Sequence, residues 1–109
     1  MNEEKVILAY ASQYKEMYYF NDELGKIPQS VRNEVLMRLI MIVEEAGGVA
    51  ELGFYPDGEV YVDSYCEEGD LGYDEISGGL LVRETEREHA DLLRELELWY
   101  RTILEAKKR

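Results

Sequence analysis

Apolar residues return at helical intervals between Val31 and Ala46. Val31, Val35, Leu39, Ile42 and Ala46 make one line, and Leu36, Ile40 and Val43 widen it. Pro28, just ahead, suits a first helical turn, where its missing N–H is not needed. The run from Leu36 to Val43 is apolar nearly all round, which predicts a helix covered on more than one side. Gly47 then supplies a helix stop and Gly48 frees the chain to turn back. Beyond them the period falls to two. Ala50, Leu52 and Phe54 alternate with Glu51, Gly53 and Tyr55; Val60 and Val62 alternate with Glu59, Tyr61 and Asp63. Between the two runs, Pro56 presets a turn, Asp57 suits the next position and Gly58 takes positive φ. This predicts a β-hairpin over 49–66 with Ala50, Leu52, Phe54, Val60 and Val62 facing the core, and Leu52 and Phe54 against the 31–46 helix. Tyr55, Tyr61 and Tyr65 fall among acids on the opposite face.

The flanks are less uniform. Residues 5–20 admit two readings: Val6 to Tyr10 and the tyrosine-rich Tyr14 to Phe20 favour strands, the preferred choice. Asn2 capping a helix, with Val6, Tyr10, Tyr14 and Met17 on one face, is the other. Asn21 to Lys26 reads as a loop, and Ile27 before Pro28 as extended. Glu67 to Asp74 is an acidic, glycine-broken loop, with a helix beginning at Asp74 or Glu75. Gly78 and Gly79 each cost a helix about 1 kcal/mol, so a break or kink is expected there. From about Leu80 to Ala106 a strong helix is predicted, its stripe formed by Thr85, His89, Leu92, Leu96, Trp99 and Ile103, with Leu93, Tyr100 and Leu104 beside it. Arg83, Glu84, Arg87 and Glu88 fill the other face, and Lys107 to Arg109 complement the helix end. The expected fold is α+β: one domain over 1–109, a small antiparallel sheet built on a central β-hairpin, with two main helices (28–46 and 80–106) on one face. The C-terminal stripe is wider than a coiled-coil seam requires. It therefore predicts a homodimer sharing the region of Trp99 and Tyr100 across a two-fold interface.

Charge narrows the partners. Twenty-four acids against twelve bases leave a formal charge of −12 among 109 residues. Phosphate backbones and anionic membranes would repel such a chain, which argues against nucleic-acid and membrane partners; a basic protein partner is compatible. Cys66 is the single cysteine, so no internal disulfide forms, and the acidic start Asn2-Glu3-Glu4 is unlike a secretory leader. The longest apolar run carries Arg38 and is far short of a membrane span. A cytoplasmic location is the expectation.

For chemistry, the acidic loop is the first place to look. Glu67, Glu68, Asp70, Asp74 and Glu75 put five carboxylates within nine residues, and Asp70, Asp74 and Glu75 are the candidates for a divalent metal. The spacing departs from a calcium loop, because Gly72 stands where a ligand belongs and Leu81 replaces the closing glutamate. A solvated loop whose acids favour the next helix start is the expected reading. His89 is the only histidine and has no nearby partner for zinc or for base catalysis, so it reads as a core or interface residue. Cys66 is followed by two glutamates that blunt its reactivity. Nine tyrosines make Tyr55, Tyr61 and Tyr65, with His89, Trp99 and Tyr100, the interface candidates. A competing reading has the N-terminal segment covering the hairpin tyrosines. No catalytic residue and no cofactor is expected.

Three pieces carry a resemblance: Glu44-Glu45-Ala46-Gly47-Gly48 entering the first hairpin strand, Phe54-Tyr55-Pro56-Asp57-Gly58 at the turn, and Glu67 to Ile76 before the last helix. With Leu96-Glu97-Leu98-Trp99-Tyr100 they make the chain similar, over nearly its whole length, to a small family of uncharacterised proteins from clostridia-like Firmicutes. That family is a domain of unknown function, so the resemblance implies no activity, cofactor or site. The order of helix, hairpin, acidic loop and helix is also similar to small acidic immunity proteins, which implies toxin neutralisation as one alternative. The functional expectation is a non-catalytic acidic interaction protein, a homodimer or a binder of a basic protein. A small enzyme or divalent-metal protein centred on 67–75 is the alternative from a different class.

Overall fold

A computed structural model describes residues 4–108; Asn2, invoked for a helical start, and Arg109 lie outside them. The elements run β1 (Val6–Ser12), β2 (Met17–Phe20), a 3₁₀ turn (Asp22–Leu24), α1 (Gln29–Ala46), β3 (Val49–Phe54), β4 (Val60–Tyr65), α2 (Glu75–Glu88) and α3 (Ala90–Lys107). The strands form one antiparallel sheet in the order β2-β1-β3-β4. The architecture is the expected α+β. Within residues 5–20 the chain forms two strands, Val6–Ser12 and Met17–Phe20, joined by a turn, and the helical reading is overturned. The register shifts between Ile7 and Ala9, a bulge that lets Leu8 and Ala9 both enter the core.

The turn chemistry follows the sequence closely. Gly47 and Gly48 both take positive φ, and a Cβ on Gly48 would come within 2.2 Å of the Tyr65 carbonyl oxygen. Gly58 also has positive φ, and its N–H donates to the Tyr55 carbonyl as the hairpin closes. Phe54 pairs with Val60 and Glu51 with Asp63, which puts the even-numbered residues of both hairpin strands toward the helices. Ala50, Leu52, Phe54 and Val62 are buried there beside Val35, Leu39 and Ile42 of α1. The Phe54 ring, expected against α1, instead stacks on Tyr100 of α3 at 4.1 Å between centroids.

The C-terminal half departs from expectation. No break occurs at Gly78–Gly79; α2 runs through them and ends at His89, whose φ of −113° and ψ of 29° separate α2 from α3. Gly78 is buried because α2 lies close to β4, and a Cβ there would sit 2.6 Å from Ser64 Oγ and 2.5 Å from the Tyr73 hydroxyl. The glycine serves close packing rather than a kink. The break falls instead where two dockings meet. Arg38 of α1 donates from Nε to Thr85 and pairs with Glu84 and Glu88 of α2, each at 3.3 Å. On the other side of His89, α3 seats Leu93, Leu96 and Tyr100 in the core.

The stripe expected to be shared with a second copy is largely taken up within the chain. Tyr100 is 5% exposed. Trp99 is half-buried beside Phe54 and Gly25, whose loop lies over its ring. The expectation counted only a hairpin and one helix as cover; α2 and the 24–28 segment add to them. Among the described residues no helix is long and apolar enough to cross a membrane.

Candidate interaction surface

All three helices pack on one face of the sheet, which leaves the odd-numbered face of β3 and β4 outward. Among the described residues, β1 and β2 do not lie across that face. β1 pairs along the edge of β3 and widens the sheet, so it adds Tyr10 beside Glu51 and brings Tyr19 of β2 against Tyr10, with centroids 5.3 Å apart. On the other side, Tyr55 and Tyr61 lie 4.9 Å apart. Lys5 holds its ammonium 5.0 Å from the Tyr61 ring and 5.8 Å from that of Tyr55, close enough for cation–π attraction.

At the centre of this face stands Glu51, 6% exposed. The Tyr61 hydroxyl donates to one carboxylate oxygen at 2.6 Å and the Tyr65 hydroxyl to the other at 2.8 Å. Gly53 makes this possible, since a Cβ there would lie 2.8 Å from the Tyr61 hydroxyl. Burial first, then the hydrogen bond to Glu51, pushes the ionisation of both tyrosines well above the usual phenol range. They therefore remain donors at neutral pH. Glu51 is the residue that sequence reading missed. The turn-defined register puts it directly across from Asp63. Two acids opposite each other on neighbouring strands are unfavourable unless something holds one of them, and that was the available signal.

The other candidates are scattered. The Tyr14 hydroxyl donates to Asp70, which holds that carboxyl below its usual range, and accepts from the Glu67 N–H. Asp74 caps α2 by accepting from the Ser77 N–H and hydroxyl, and the backbone bond first, then the hydroxyl's, holds its carboxyl below the usual carboxylate range. Glu75 is exposed in the first turn of α2. Asp70 and Asp74 thus serve to pin the loop. Among the described residues no three His, Cys, Asp or Glu side chains are grouped to hold a metal ion. His89 lies on the helical side, its Nδ1 3.3 Å from Glu34. Cys66 is a free, half-buried thiol. Of the interface candidates, Tyr55, Tyr61 and Tyr65 share the outward face, while His89, Trp99 and Tyr100 belong to the helical layer.

The sequence model of a family of unknown function, DUF6145, matches residues 5–108. No curated protein and no solved structure matches the chain.

Proposed function

The chain belongs to this family of unknown function, DUF6145, and from that premise we propose that it is a non-catalytic interaction protein holding a basic protein partner on its open sheet face. The carrying observation is that Tyr10, Tyr19, Tyr55 and Tyr65, half-buried to exposed, surround the buried Tyr61 and Glu51 on the side without helices, with Asp63 beside them. Tyrosines give large, stiff, half-polar contact area and are enriched at interfaces. The acids choose the partner's sign. Two copies joined through this face would bring their carboxylates together, which disfavours self-association here and favours a cationic surface.

The test is a titration of ¹⁵N-labelled protein with a ten-residue peptide of alternating arginine and serine. Saturable shifts concentrated on the outward residues of β1, β3 and β4 support the reading. Shifts spread over the acidic helices, or no saturation, overturn it.

A further inference from the structure

Glu51 is a buried carboxylate without a counter-charge. The ion pairs of the described residues involve Asp22, Glu34, Glu84, Glu88 and Glu97; none reaches Glu51. Its two hydrogen bonds come from neutral phenols. A carboxylate offers about four acceptor sites, so about two remain open. Removing such a charge from water is costly until a cation meets it.

A depression of about 270 Å³ opens beside it, lined by Tyr10, Tyr65, Glu51, Glu67 and Lys15 among others. Tyr65 is 40% exposed and the Tyr10 ring is backed by Tyr19. Glu67 adds a second negative charge. Lys15 is on the rim, exposed, and makes no ion pair with Glu51 within 4 Å. The neighbouring ring pair already receives an ammonium, that of Lys5, so the tyrosines of this face take cations.

We propose that the depression between Tyr10, Glu51 and Tyr65 is an anchor site for a guanidinium, the side chain of an arginine on the basic partner. This rests on the reading of the open face as the partner's surface. A planar, weakly hydrated guanidinium stacks on aromatic rings and donates in a fork to a carboxylate; a lysine ammonium, strongly hydrated, matches neither feature as well. Tyr61 and Tyr65 hold the carboxylate in place, so the site is formed before the ligand arrives.

The experiment compares the arginine–serine peptide with two counterparts in which every arginine becomes citrulline or lysine. Wild type, Glu51→Gln and Tyr10→Ala are the proteins. Glu51→Gln removes the charge and keeps one acceptor oxygen, its NH2 donating to the other tyrosine's hydroxyl oxygen, and a melt verifies that it is folded. Tyr10→Ala, on the half-exposed rim, carries the test if it is not. The expected result is at least tenfold weaker binding of the arginine peptide by each variant, and a similar loss when citrulline replaces arginine on the wild type. Unchanged affinity and footprint in folded variants overturn the anchor and leave the face reading standing. Equal binding of the lysine peptide overturns the choice of guanidinium. Absence of any footprint on the open face brings down the face reading and the anchor together.

Discussion

Gly78 and Gly79 stand side by side in α2 in opposite surroundings. A methyl group on Gly79 meets nothing nearer than the end of the Arg83 side chain at 3.9 Å. One on Gly78 displaces the Tyr73 and Ser64 hydroxyls, which share a 2.8 Å hydrogen bond. Alanine is favoured over glycine in a helix by about 1 kcal/mol. Gly79→Ala is therefore expected to raise the melting temperature, and Gly78→Ala to lower it, in thermal denaturation followed by circular dichroism. Tyr61 and Tyr65 ionise above the usual value near 10 when folded and at that value when unfolded. The stability linked to them is present below pH 10 and is lost as pH rises through the folded-state values. An absorbance titration of the folded protein should find both ionising well above the usual phenol range. Ionisation of both within the usual phenol range would refute the hydrogen-bonded Glu51 centre.

Among elements, the contact between β3 and α3 holds the sheet to the helical layer. Phe54 is fully buried and stacked on Tyr100. Phe54→Ala should cost about 3–5 kcal/mol, measured by chemical denaturation. Trp99 is half-buried, so Trp99→Ala should cost less, about 2 kcal/mol. Because its ring is covered by the chain's own Gly25 loop, that loss should be the same at every protein concentration. A loss that grows on dilution would instead place Trp99 at a subunit contact. The two edges of the sheet also differ. On β4 the Val60 N–H donates to Glu97 of α3 and the Ser64 N–H to Asp63, which blunts that edge against further pairing.

For the whole molecule, the formal charge of −12 sets the response to salt. Like charges repel more in the compact state than in the extended one, and screening reaches about 8 Å at physiological ionic strength. Added sodium chloride should therefore raise the melting temperature and, in parallel, weaken binding of the arginine–serine peptide. A melting temperature that falls with salt would mean that the ion pairs of Arg38 and Arg101 outweigh the general repulsion.

The sequence by itself determined the features that depend on near neighbours in the chain. Periodicity located α1, and Gly47, Gly48 and Gly58 had to be glycines because the backbone turns through positive φ at each. Alternation assigned the two faces of β3 and β4, since a strand's side chains change sides at every residue. Tertiary structure decided what depends on distant partners. The break at His89, where no helix-breaking residue stands, comes from α2 and α3 docking on different surfaces. Gly78 looked like a kink until β4 was laid against it. Most consequentially, β1 could have covered the hairpin tyrosines or extended the sheet beside them. Its pairing with β3 chose the second, because that satisfies the backbone groups of both strands and buries Leu8, Ala9 and Ala11 against α1. That choice left the Glu51 face open.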